Sequence, residues 1–294
     1  MKVTIFDISN GDCSLAVCSN GYGLMIDCGN NSDKLCPVDI IEENKFGLGN
    51  WSGFKHYGDG YKLTLLHITH PDYDHIKNAE KVVEKLKPKL MHKRDYDIAF
   101  PLDIQKDIDD GYKKNVCKQY RNTKHNTRPE WGFDFNQPYE IPMNEILKNE
   151  NLSESPKNNS SILRIIGYGG KRMLFGGDIE TNGWLWLLNN DKDFKEKISK
   201  GIDVFLAPHH GHKSGFCKDL FEIMGRPHTI LSKGSEAEKE GTDVSAQYSA
   251  LSSPLNYNTL NKDSRTANIL TTRQNGHIFI EIDSEGTIYF QTEK

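Results

Sequence analysis

The stretch Thr69-His70-Pro71-Asp72-Tyr73-Asp74-His75 places four groups able to hold a metal ion, His70, Asp72, Asp74 and His75, within six residues. Imidazole nitrogens beside carboxylate oxygens at this spacing suit one or two divalent cations. An acid next to a His at a helix start also suits a plain cap, because Asp satisfies free amide groups there. Four candidate ligands in one turn exceed what a cap requires. Further groups of the same kind are Asp27 in Asp27-Cys28-Gly29, Asp178 in Gly176-Gly177-Asp178-Ile179-Glu180, and the histidines of Pro208-His209-His210-Gly211-His212-Lys213-Ser214-Gly215. Asp27 before Gly reads on its own as a turn. Three His in four residues, 209 to 212, are hard to explain by core packing. Lys213 and Lys218 are the cations close to them in sequence.

Each of these groups follows an apolar run. Residues 63–68 read as a buried strand, and Ile76, Ala79, Val82, Val83 and Leu86 have helical spacing, so the first cluster sits on a strand-to-helix turn. Residues 2–17 alternate around Asn10-Gly11-Asp12 and lead through a Gly-rich turn to Leu24-Met25-Ile26, which predicts an antiparallel meander ending at Asp27. Residues 162–166 and 172–175 form a second predicted hairpin, which ends at Asp178, and residues 203–207 a strand that ends at His209 and His210. A helix is expected over 182–188, with Trp184 and Leu187 or Leu188 on one face, another over 216–224, and a closing hairpin at 277–290. In layered α/β folds ligands gather beyond strand ends. Four such coincidences make a dinuclear metal hydrolase the leading reading from the residues alone. Residues 30–60 are polar and Gly-rich without a clear pattern, and the pattern weakens from about 92 to 157.

The 294 residues suit one large domain or two small ones, with a sizeable core, and a single domain is the expectation. A mean hydropathy of −0.65 with short apolar runs excludes a membrane span in the sequence pattern, and no secretory signal precedes the first strand. The six cysteines, Cys13, Cys18, Cys28, Cys36, Cys117 and Cys217, form no Cys-x-x-Cys pair and do not read as a disulfide framework. A cytoplasmic protein is the expectation. A formal net charge of −4 argues against a broad basic face for nucleic acid, although a metal centre and a local basic patch can supply a positive field.

The chain also resembles the metallo-β-lactamase fold, through His70-x-x-x-Asp74-His75, then Gly177-Asp178, then a late His. The closer resemblance is to the ComEC-type branch, the hydrolase domain attached to bacterial DNA-uptake channels. It is carried by Phe6-Asp7-Ile8-Ser9-Asn10-Gly11-Asp12, Ile26-Asp27-Cys28-Gly29, His70-Pro71-Asp72-Tyr73-Asp74-His75, Asn159 with Ser161, Gly177-Asp178-Ile179-Glu180, Pro208-His209-His210-Gly211, and Thr272-Arg273 before Asn275-Gly276. It spans nearly the whole chain except an insertion at about 92–157. Asp72 stands where the wider superfamily has His, as in the ComEC-type branch. The wider superfamily also has a His before the second hairpin, where this chain offers Asn158, Asn159 and Ser161.

The resemblance implies an αββα sandwich of two mixed sheets with helices on the outer faces, and metal-dependent phosphodiester hydrolysis by a nuclease acting on DNA. In that scheme His70 and Asp72 hold one ion. Asp74, His75 and one of His209 or His210 hold the other, Asp178 bridges them, and a bridging hydroxide attacks phosphorus. Asp27, Asn159 and Ser161 support the ligands. Lys213 and Ser214 bind a phosphate oxygen, and the second His of the pair protonates the leaving oxygen. The oxygen-rich first position favours Mn²⁺ or Mg²⁺, while Zn²⁺ competes by affinity alone. Arg128 and Trp131 in the insertion suggest a short track for flexible single strands. Two other readings stay open: hydrolysis of a small cyclic nucleotide, lactone or thioester in a closed pocket, and a non-catalytic binding module on the same fold. The sequence specifies no protein partner.

Overall fold

Short runs buried on both faces make the strands, and their alternation decides which way each side chain points. In the strand Ser14–Val17, Leu15 and Val17 join one apolar cluster and Ala16 joins another. The same split recurs in Lys171–Phe175, where Met173 and Phe175 face one way and Leu174 the other. The computed structural model describes residues 1–9, 11–29, 36–46, 63–94, 132–233 and 241–294.

In chain order the described strands are β1 (Lys2–Ile5), β2 (Ser14–Val17), β3 (Gly23–Ile26), β4 (Leu63–His67), β5 (Pro88–His92), β6 (Phe135–Tyr139), β7 (Leu163–Tyr168) and β8 (Lys171–Phe175). They continue as β9 (Val204–Leu206), β10 (His228–Leu231), β11 (Leu255–Thr259), β12 (Ser264–Ala267), β13 (Ile269–Thr271), β14 (Ile278–Ile282) and β15 (Ile288–Thr292). Among the described residues they make a nine-stranded sheet, in the order β12-β11-β15-β14-β1-β2-β3-β4-β5, and a six-stranded sheet, β13-β10-β9-β8-β7-β6. Both are mixed. The β1-β2-β3 meander is antiparallel and β3-β4-β5 run parallel. The β6-β7-β8 meander is antiparallel and β8-β9-β10-β13 run parallel.

Three apolar clusters separate four layers. Val3, Ile5 and Leu65 of the larger sheet meet Ile166, Phe175 and Leu206 of the smaller one between the sheets. Leu15, Met25 and Leu66 pack under Val38, Ile41, Ala79 and Val82 of the helices Pro37–Glu42 and Ala79–Lys85. Leu163, Leu174 and Phe205 pack under Trp184, Leu187, Phe194 and Phe221 of the helices Thr181–Asn190, Lys192–Ser199 and Lys218–Met224. Burying one such Leu or Phe contributes roughly 1.5–3 kcal/mol. This is the expected sandwich of two mixed sheets with outer helices.

The β7–β8 hairpin turns at Gly169 and Gly170, with φ of 58° and 75°, a backbone that glycine adopts without strain. Within 132–157 the weak pattern hides an ordered edge: β6 pairs with β7, and the helices Met143–Lys148 and Glu150–Ser153 follow. Pro138 in the middle of β6 disguises that strand, and it is tolerated because β6 lies at the sheet edge among the described residues. Of the proposed substrate track, Arg128 and Trp131 lie outside the described residues. No described helix is long and apolar enough to cross a membrane.

A buried polar node ties the sheets together near the site. Arg164 of β7 is fully buried and donates to Asn136 Oδ1 and to Nδ1 of His67 at 3.2 Å and His92 at 2.6 Å. Burial, then the Arg164 charge, pushes His67 well below the ordinary imidazole range, so it stays neutral and its Nε2–H donates to the Ile162 carbonyl at 2.9 Å. The Ile162 N–H donates to the Thr69 carbonyl at 2.8 Å, which fixes the loop after β4 against the loop before β7.

Candidate metal centre

The groups singled out in the sequence all lie at one edge of the sandwich, beyond the C-terminal ends of β3, β4, β8 and β9. Asp27 follows β3 with φ of 55°, a strained backbone for a residue with a Cβ. Its carboxylate accepts the Thr69 N–H at 2.7 Å, the Thr69 hydroxyl at 2.7 Å and His75 Nδ1–H at 2.8 Å. Thr69 Oγ1 in turn lies 3.1 Å from His70 Nδ1 and, having given its own proton to Asp27, accepts from that ring. His210 Nδ1 donates to the Ser232 carbonyl at 3.0 Å. Each ring therefore spends Nδ1–H on an acceptor and turns Nε2 inward, with a lone pair that either a proton or a cation can take, the arrangement that holds a metal-binding imidazole in place.

Those lone pairs converge on carboxylates. His75 Nε2 lies 3.2 Å from Asp178 Oδ1 and 3.9 Å from Asp74 Oδ2. His210 Nε2 lies 3.3 Å from Asp74 Oδ2 and 3.8 Å from Asp178 Oδ1. His70 Nε2 lies 3.7 Å from Asp178 Oδ2 and 3.6 Å from Asp72 Oδ2. Asp178 thus turns one oxygen to each side. Nε2 of His70, His75 and His210 and Oδ1 of Asp178 are buried without a hydrogen-bond partner. Leaving one such group unsatisfied costs about 1–3 kcal/mol, and more when it is charged. Four together describe a site built for cations, so the donor set fits divalent metal ions. Two overlapping groups, His70-His75-Asp178 and Asp74-His75-His210, each bring their ligand atoms within 4.8 Å of one another.

The consecutive residues His209 and His210 diverge. Both have positive φ, 50° and 54°, within the turn His209–Gly211, and this throws the two rings to different sides. His210 joins the cluster. His209 Nδ1 faces Ser214 Oγ at 3.0 Å and Glu180 Oε1 at 3.7 Å. Ser214 Oγ is shared with His212 Nδ1 at 2.7 Å. Lys213 is exposed beside them.

Asn159 and Ser161 are spent on positioning. Asn159 is buried, accepts the Glu180 N–H at 3.2 Å and donates to the Leu152 carbonyl at 3.0 Å. Ser161 Oγ accepts the Asp178 N–H at 3.0 Å. Two participants escaped the sequence reading. Asp12 is buried with its Oδ1 3.9 Å from His210 Nδ1, and burial pushes its carboxyl up to about 6; its signals were the Gly11-Asp12 turn after β1 and its place in the motif that carries the family resemblance. Lys157 Nζ contacts Asp72 Oδ1 at 2.9 Å, a pairing that no local spacing announces.

Protons and cations compete for the same lone pairs. Burial alone would lower His75, but Asp178, Asp27 and Asp74 hold it well above the ordinary range. His210 is likewise pushed up to about 10, burial being outweighed by Asp178, Asp74 and Asp12. Both rings therefore carry a proton at neutral pH when no cation is bound, and a ligating ring must lose it. Metal affinity is expected to rise with pH through neutrality, with about one or two protons released per first ion at pH 7. Calorimetry in buffers of different ionisation enthalpy measures that number; a value near zero would contradict the assignment of both rings as ligands.

A family model described as the metallo-beta-lactamase superfamily matches residues 7–227. No curated protein sequence matches the chain. Among solved structures, the metallo-beta-lactamase fold protein YhfI from Bacillus subtilis is similar at 10% identity, covering 97% of this chain and 98% of that one, with a TM-score of 0.45. Igni18, a metallo hydrolase from the archaeon Ignicoccus hospitalis, is similar at 12% identity over 96% of this chain and 100% of that one, with a TM-score of 0.46. Zn²⁺-bound PqqB from Methylobacterium extorquens is similar at 13% identity, covering 92% and 88%, with a TM-score of 0.41.

Proposed function

We propose that this chain, which belongs to the metallo-beta-lactamase superfamily, is a metal-dependent phosphodiester hydrolase, a nuclease acting on DNA with two divalent ions. The observation that carries this reading is the oxygen-rich His70 side of the cluster. There one imidazole meets the carboxylates of Asp72 and Asp178, and Asn159 and Ser161 are occupied elsewhere. Such a donor set suits hard cations, Mn²⁺ first and Mg²⁺ next, and these partner phosphate oxygens, although Zn²⁺ competes by affinity. The sequence resemblance to the ComEC-type branch supports the same substrate class. The half-open position of Asp74, whose side chain is 38% exposed, favours an open approach over a small closed pocket.

In this reading His70, Asp72 and Asp178 hold one ion, and Asp74, His75, His210 and Asp178 hold the other. Bound there, the ions supply Lewis acidity toward the phosphate and toward water. The chain's own residues do the positioning: Asp27 and Thr69 orient His75 and His70, the Ser232 carbonyl orients His210, and Ser161 holds the backbone of Asp178. Exposed Lys213 is the proposed contact for a phosphate oxygen. Ser214, engaged by His209 and His212, is better suited to holding that turn. With His210 among the ligands, the proton-donor role would pass to His209. Burial pushes His209 below the ordinary range, which makes it a poor acid at neutral pH. The buried free thiols of Cys13, Cys18, Cys28, Cys36 and Cys217 support a reducing, cytoplasmic setting.

The test is incubation of the protein with Mn²⁺ and a panel of single- and double-stranded DNA and RNA, a chromogenic phosphodiester, cyclic nucleotides, lactones and thioesters. Cleavage of polynucleotides is expected, strongest on single-stranded DNA. The net charge of −4 leaves no broad basic face, which implies few phosphate contacts and a shallow salt dependence. Turnover of only the small cyclic nucleotides, lactones or thioesters would overturn the nuclease reading.

A further inference from the structure

We propose that the two ion positions fill unequally and that Lys157 sets the order, its ammonium occupying Asp72 until an ion on the His70 side displaces it. This inference rests on the two-ion reading above. The two sides of Asp178 differ in composition and in what already neutralises them. The side made by Asp74, His75 and His210 offers two imidazoles and a carboxylate besides Asp178, and among the described residues no Lys or Arg forms an ion pair with any of them. The other side offers His70 and Asp72, and Asp72 already holds a cation: Lys157 Nζ lies 2.9 Å from Oδ1 while Oδ2 faces His70 Nε2 at 3.6 Å.

Lys157 is held at this place by its helix rather than by its own reach. It lies in Pro156–Asn159, whose end is fixed by the bonds of Asn159 to Leu152 and Glu180 and of Asn158 Nδ2 to Glu180 Oε1 at 3.0 Å. The lysine is 27% exposed and the aspartate 19%, so their attraction is only partly screened by water. A divalent ion entering beside Asp72 meets a like charge and must break that pair. An ion entering beside His75 and His210 displaces ring protons that leave to solvent, and it gains two imidazoles and two carboxylates in return, whereas the Lys157 ammonium stays tethered beside Asp72. Asn159 is committed to backbone groups through both amide atoms, and Ser161 Oγ already accepts the Asp178 N–H. With metal limiting, the chain would hold one ion at Asp74, His75 and His210, with the Lys157 ammonium as the second positive charge.

The experiment is a calorimetric titration of metal-free full-length protein with Mn²⁺, without substrate. Two steps are expected, the second weaker by about 10- to 100-fold, the range over which groups contacting metal ligands tune affinity. Lys157→Met removes the charge and keeps the stem; it should leave the first step unchanged and tighten the second about tenfold. Lys157→Arg should restore the wild-type separation. Asp72→Asn should remove the second step and spare the first. Two equal steps in the wild type, or a second step unmoved or weakened in Lys157→Met, would overturn the inference while leaving the metal centre standing. Failure of the protein to bind any Mn²⁺ would overturn both.

Discussion

Asp178→Asn is expected to lower turnover of a chromogenic phosphodiester by at least about three orders of magnitude, the upper end of what loss of one electrostatic catalytic group costs. Among the described residues Asp178 is the only carboxylate that contacts ligands on both sides of the cluster, with Oδ1 toward His75 and His210 and Oδ2 toward His70. Burial opposes its charge, yet His75 and His210 hold it well below the usual carboxylate range, so it is fully anionic at neutral pH. An amide of nearly the same volume keeps the packing and the backbone bond from Asp178 N–H to Ser161 Oγ, so the fold is expected to persist by circular dichroism. Elemental analysis after Mn²⁺ reconstitution should fall toward zero ions per chain. Retention of a tenth or more of the activity with both ions bound would remove Asp178 from the centre of the account.

Asp74→Asn is expected to cost roughly a hundredfold in the same assay. Asp74 contributes one carboxylate to the His75 and His210 side alone, and it is the most exposed of the proposed ligands, with 38% of its side chain accessible. Its backbone is held independently of its charge. A Cβ at Gly29 would lie 1.8 Å from the Asp74 carbonyl oxygen, and one at Gly11 2.5 Å away, so both loops press on that carbonyl only because they are glycine there. The variant should therefore keep its unfolding midpoint in chelator while binding the first Mn²⁺ at least about tenfold more weakly. Unfolding of the metal-free variant, or unchanged hydrolysis, would count against a catalytic role.

The strand ends were legible because apolar runs and chemistry-bearing turns abut there. His70 to His75, Asp178 and the His209-His210 pair each stand just past a short apolar run that marks a strand. The two-sheet architecture followed from the same runs together with the family resemblance. What spacing cannot resolve is direction. His209 and His210 are adjacent, and only the two successive positive φ values decide that His210 joins the cluster. Asp27 looked like a turn acid because its partners, Thr69 and His75, lie more than forty residues away. The strand β6 was masked by Pro138 and by the polar Asn136 and Gln137, which suit an edge more than a sheet interior. Lys157 carries no signal at all, since its pairing with Asp72 is tertiary.

The most direct measurement is anomalous diffraction from crystals of the protein grown with Mn²⁺. The account predicts peaks on either side of the Asp178 carboxylate, the stronger one among Asp74, His75 and His210 and the weaker one between His70 and Asp72. Manganese found only away from His70 and Asp178 would contradict it.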